Sequence, residues 1–208
     1  MSFDTNSEVL GYLQASATRM KGLPCLMSYN ADNVHQSIGE ERNEITEIER
    51  ILDQLERTYE GSAWHGPSVR EALDGITAEQ AAARPLPGAH TIWELAHHIA
   101  VWEDVGRSRL EGDRAQINIS SPEDWPPADD TSEAAWEQAK ASLDRGHQAL
   151  TEAIARLNES RLDEPVLEGM STVYVTLHGV IQHDLYHAGQ IALLKKALTA
   201  GSAGILPA

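Results

Sequence analysis

Apolar residues recur at three- and four-residue steps through four stretches of the chain, and the pattern breaks between them. In "SIGEERNEITEIERILDQLERTYEG", Ile45, Ile48, Leu52, Leu55 and Tyr59 form one face of an amphipathic helix. Ser37 and Glu40 have capping-box spacing at its start, and Gly61 supplies a stop. A second helix opens at Thr91, again with a glutamate, Glu94, three residues on. Its stripe is Ile92, Leu95, Ile99 and Trp102, and it ends near Glu111, before Gly112. A third starts at Asp130 or Thr131 and carries Trp136, Ala139, Leu143, His147, Leu150, Ile154 and Leu157. The fourth runs from near Ser171 to about Leu198, with Val173, Thr176, Val180, His183, His187, Ile191 and Leu194 on one face.

Two long connections separate these helices. Residues 61–90 include a short helical stretch around Ser68–Leu73, and 113–130 contain Pro122, Pro126 and Pro127, which exclude a helix interior. Long ordered connections are often functional. "PVLEG" at 165–169 extends briefly, and no sheet can be built from it. The expected architecture is an all-α four-helix bundle over 37–199. Residues 1–36, with little pattern, read as a poorly ordered N-terminal extension, and 200–208 as a tail.

Composition narrows the class. The chain is 41% hydrophobic and 23% charged, as a soluble globular protein is. It has no run of about 18 apolar residues and no basic start followed by an apolar block. A cytoplasmic protein with no membrane partner is therefore expected. Its 32 acidic against 16 basic residues give a net charge of -16, which argues against nucleic acid as a partner. The lone cysteine, Cys25, excludes an internal disulfide and a multi-thiolate zinc site.

The chemistry lies in histidines. In "HDLYH", His183 and His187 are one helical turn apart on the apolar stripe. A buried imidazole needs partners for its ring nitrogens, and one metal ion answers for both. Histidines at i and i+4 can converge on one ion. A third ligand must come from another helix. Of the pair in "WELAHHIA", His98 lies at the edge of the stripe and His97 projects to the far side, so His98 is the better candidate. His147 lies centrally on the third stripe as a fourth ligand, a base or a satisfied core histidine, the last being favoured. A ligating histidine usually donates its other N–H to an acceptor. Glu94, Asp184 and Gln190 are the nearby candidates for that role, and Trp102 and Tyr186 are candidates to line the cavity mouth. No buried carboxylate pair of the di-iron type is evident.

"GAHTIWELAHHIAVWED" followed by "LHGVIQHDLYHAGQIALLKK", with "DW" between them and "WHGPSVREAL" before, resembles the DinB/YfiT-like metalloenzymes over roughly 37–199. The resemblance implies a four-helix bundle holding a divalent metal, typically zinc or nickel, on three histidines. Carried onto this chain, they are His98, His183 and His187. It further implies a thiol S-transferase that joins a low-molecular-weight thiol to a small electrophilic substrate. Hydrolysis by metal-bound hydroxide and a non-catalytic, stress-associated metal-binding bundle are the alternatives, and a homodimer stays open. Three neutral nitrogens leave an open coordination position, as catalytic sites do. Because ligand histidines must be neutral, metal affinity is expected to fall below about pH 6.

Overall fold

Each long helix begins where a side chain caps it. In the computed structural model, which describes residues 45–64 and 66–202, helix α1 spans Glu47–Tyr59. Thr46 accepts from the Glu49 amide, and Glu49 returns the bond to the Thr46 amide. The same reciprocal box starts α2 (Val69–Leu73) at Ser68, α3 (Ala78–Ala82) at Thr77 and α4 (Ile92–Leu110) at Thr91. Ser132 caps α5 (Glu133–Ala155). The last helix, α6, runs from Val173 to Ser202, with Thr172 Oγ1 accepting from the Val175 amide.

Helices α1, α4, α5 and α6 form the four-helix bundle. Helix α4 packs on α5 and α6, and α1 packs on the same two. The short α2 and α3, both within the first long connection, pack on α6 and on α4 and α5 respectively. The fold is all-α. The only extended pairing among the described residues is a single bridge between Pro165 and Thr172.

Three expectations shift. The Ser37–Glu40 box lies outside the described residues, and the helix recorded there starts later, at Thr46. Ile45 therefore falls outside the helix and is 63% exposed, while Ile51 takes its place in the core. Helix α6 runs to Ser202 rather than about Leu198. Its buried face is also rotated: Leu177, Ile181, Asp184, Ala188 and Ile191 mark its centre, and His183 stands at the edge. His178 on the same helix is half-buried against Tyr174.

The core has two apolar clusters. One gathers Tyr59, Trp93, Ile99, Trp136, Leu143, Ala188 and Ile191, with the apolar residues of α2 and α3. The other gathers Ile51, Leu55, Leu150, Ile154, Leu177 and Ile181. Between them along the helices lie Glu103 on α4, His147 on α5 and Asp184 on α6, all buried. Gly106 lets α4 approach α6, since a β-carbon there would stand 3.2 Å from Val180 Cγ2.

Trp136 anchors the first cluster. It is fully buried and its indole N–H donates to the Ile76 carbonyl at 2.8 Å, tying the first connection to α5. Trp136→Ala is expected to lower stability by about 3–5 kcal/mol, because a large cavity and an unpaired carbonyl result together. Urea unfolding measures this, and a loss near zero would contradict the packing described.

Candidate metal centre

Helices α4 and α6 bring His98, His183 and His187 together. One ring nitrogen from each lies within 4.8 Å of those from the other two. His98 and His187 are buried and His183 is half-buried. The closest approach is Nε2 of His98 to Nε2 of His183, at 3.0 Å.

The other nitrogen of each ring is already held. His98 Nδ1 donates to the Asp124 main-chain carbonyl at 2.7 Å, with Asp124 Oδ1 at 3.2 Å. His183 Nδ1 lies 3.2 Å from Asp184 Oδ1, and His187 Nδ1 lies 2.7 Å from Gln190 Oε1. With every Nδ1–H directed to an oxygen, each Nε2 keeps a lone pair. The donor set thus fits a divalent metal ion, which borderline imidazole nitrogen suits.

Electrostatics agree with neutral rings. Burial, then the neighbouring histidines, pull His187 down to about 4. Burial brings His183 to about 4 against the opposing charge of Asp124. His98 is lowered too, burial outweighing the bond to Asp124.

The second long connection builds one wall. Asp124 is buried; its Oδ1 accepts from the Trp102 indole and its Oδ2 from the Ser120 amide, both at 2.8 Å. Burial works to raise its pKa, but these donors and His98 outweigh it and hold the carboxyl below the usual carboxylate range. Trp125 lies flat between two imidazoles, 3.7 Å from His98 and 3.5 Å from His90. Neither Asp124 nor Trp125 stands in a periodic segment, so helical phase gives no means of selecting them.

Other candidate residues fall in different places. Glu94 does not reach His98. Its oxygens take the Thr91 amide, both contacts to Arg84 and the His90 ring, so the capping box and an ion pair account for it. His97 is satisfied by the Trp93 indole and the Pro126 carbonyl, away from the cluster. Tyr186 is exposed, with its ring 5.1 Å from His187. Trp102 stands 6.0 Å from His183, ring to ring. His147 is a core histidine outside the cluster, stacked 3.8 Å from Tyr59 and bonded through Nδ1 to Glu103 Oε1 at 2.8 Å.

Behind His183 lies a buried carboxylate pair that is not of the di-iron type and that helical phase does not single out. Glu103 and Asp184 are both fully buried, and Glu103 Oε2 and Asp184 Oδ2 meet no N–H or O–H of any other group. Burial, then the charge of Asp184, pushes Glu103 up, and burial likewise pushes Asp184 up while Glu103 counters it. A proton held by Glu103 and donated to Asp184 would satisfy both oxygens. His183, Asp184, Glu103 and His147 then form one chain across α6, α4 and α5. The residue spacing hints at it: Ile92, Ala96, Ile99, Glu103 and Gly106 continue one set of three- and four-residue steps.

These features describe a helix bundle whose buried three-histidine group could hold a divalent metal. The chain belongs to the DinB superfamily, whose family model matches residues 63–191, a span that includes all three histidines. Comparison with curated proteins gives no match, and comparison with solved structures gives none.

The shared proton makes a prediction. Glu103→Gln keeps a donor toward Asp184 and an acceptor toward His147, and its stability should stay within about 1 kcal/mol of the parent. Glu103→Ala should cost about 2–4 kcal/mol, because it leaves a cavity and two orphaned groups. Equal losses in urea unfolding would mean that no proton lies between the carboxyls.

Proposed function

We propose that His98, His183 and His187 hold one divalent metal ion, zinc or nickel, through their Nε2 atoms. We further propose that the protein is a thiol S-transferase joining a low-molecular-weight thiol to a small electrophile. The observation that carries the metal reading is the pair of Nε2 atoms 3.0 Å apart with both Nδ1 atoms already committed to acceptors. Two lone pairs at that separation repel unless a cation stands by them, and burial disfavours a proton in that place.

A divalent ion bound there supplies a Lewis acid that lowers the pKa of a thiol beside it. The protein's own groups orient the three rings: Asp124, Asp184 and Gln190 set the tautomers, and Trp125 holds the His98 plane. In the transfer itself the thiolate sulfur forms a bond to the electrophilic carbon. The leaving group departs with its electron pair, and the thiol proton passes to solvent. A hydrolase would need a proton acceptor for water at this place. Asp124 and Asp184, the buried carboxylates at the centre, are committed to the histidines, which favours the thiol reading.

Elemental analysis of the purified protein is expected to give one metal per chain. His98→Ala, His183→Ala and His187→Ala should each lower metal affinity at least 100-fold while the helical spectrum persists. Full occupancy in all three would overturn the assignment. Thiol consumption with a model electrophile and bacillithiol, mycothiol or glutathione should depend on the metal. Metal binding with no such rate would remove the transferase reading, and turnover without thiol would favour hydrolysis.

Burial also moves the pH response. An unperturbed histidine titrates near 6.5, whereas His183 and His187 do so at about 4. Protons therefore begin to compete with metal later than the sequence-based figure of about pH 6. Affinity should stay nearly flat from neutral pH to about 5 and fall steeply below it. Between the two pKa values the unfolded chain binds more protons than the folded one, so the metal-free fold should lose stability as pH falls through that window. Metal titrations and urea unfolding at a series of pH values check both directions.

A further inference from the structure

A cavity of about 280 Å³ opens between α4 and α6 beside the metal centre, with His183 in its lining. Trp102, Val105, Val175 and Val180 give it apolar walls, and Arg109 is the one charged side chain among the described residues that line it. Arg109 is half-buried, and its Nε is buried with no hydrogen-bond partner. Its guanidinium carbon stands 5.8 Å from the Trp102 ring, and that ring is 6.0 Å from the His183 ring.

An unmatched cation of this kind is unexpected in a chain with net charge -16. The carboxylates near this end of α4 are taken by other arginines: Asp104 and Glu111 bind Arg107, and Glu111 also faces Arg156. Among the described residues the other two arginines that are not exposed, Arg107 and Arg161, have carboxylate partners. A half-buried guanidinium with no carboxylate partner is a strong site for one, which it can grip through two parallel bonds. One cation with no lysine and no second arginine matches a singly charged carboxylate better than a phosphate.

We propose that this cavity binds a carboxylate-bearing ligand. Its carboxylate pairs with Arg109, and its chain runs along Trp102 and the valines toward His183. The inference deepens the metal-centre reading and rests on it only for the end of the ligand that reaches the ion. It names the substrate class as an organic acid, the acid group being carried by the thiol itself or by its reaction partner.

The probes are 6-mercaptohexanoate and 6-mercapto-1-hexanol, which share a sulfur and an alkyl chain and differ in the charged end. Calorimetric titration of the zinc-loaded protein is expected to show about tenfold tighter binding of the acid, the range of one charge-assisted pair. Arg109→Gln should bring the ratio to about one, and Arg109→Lys should keep part of it. Zinc affinity, measured separately, should be unchanged in both variants, since Arg109 is three turns along α4 from His98. Equal binding of the two probes by the parent, or a preference that survives Arg109→Gln, overturns the proposal and leaves the metal reading standing. If zinc does not bind at all, the metal reading falls, and the same two probes on the metal-free protein still decide Arg109. A preference lost with the arginine supports the site, and its absence rejects it.

Discussion

The buried carboxyl pair of Glu103 and Asp184 is the constraint on which this bundle depends. Two carboxyls cannot both be charged in a dry core, and neither can be left without a partner. Their solution joins three helices in one register, because Glu103 also receives His147 from α5 and Asp184 also faces His183. An apolar stripe tolerates small slips, since one methyl contact resembles another. A chain of four polar groups does not, because each oxygen and nitrogen has one geometry that satisfies it. The layer separates two apolar clusters and sets the height at which α6 stands against α4. That height determines whether His183 meets His98.

The bundle was legible in the sequence because its signals are local. Thr91 and Glu94 mark the start of α4 within four residues, and the stripe from Trp136 to Ile154 needs only helical period to be seen. The three histidines were legible for the same reason, as one turn of spacing and one choice of phase. The rest was not local. A phase for α6 through His183 and His187 places Asp184 off the core face, whereas in the fold Asp184 is fully buried and the histidines flank it. Glu103 carries no local mark of burial, since an acidic residue in a long helix usually faces solvent. Glu94 misled in the opposite direction: its cap and its ion pair with Arg84 already use both oxygens.

The three histidines come from two helices, but the orientation of His98 comes from a connection that has no period to read. Asp124 receives the Nδ1–H of His98 through its main-chain carbonyl and steadies the surrounding loop through its side chain. The next residue, Trp125, covers the face of the same ring. Ser120, with a left-handed φ of 67°, closes the turn that presents both. One short turn thus places an acceptor and a flat wall on a single imidazole. The long loop costs chain entropy to order, and the buried Asp124, the Trp102 bond and the Trp125 stack offset it.

This division of labour bears on how such a bundle could change chemistry without changing fold. His98, His183 and His187 are held by groups on the core side or in the 113–130 turn, and none of those groups faces the cavity that Arg109 lines. Apart from His183, the residues on that cavity wall, Val105, Val175, Thr176 and Arg109 among them, carry no part of the carboxyl chain. Substitution there alters what fits beside His183 while the bonds of the three rings to Asp124, Asp184 and Gln190 stay as they are. Substitution at Glu103 does the reverse, reaching His183 through Asp184 with no contact to the cavity. The groove and the geometry of the rings are therefore separable in this molecule, because the carboxyl layer behind His183 lies in the core and the groove between α4 and α6 meets it only at His183.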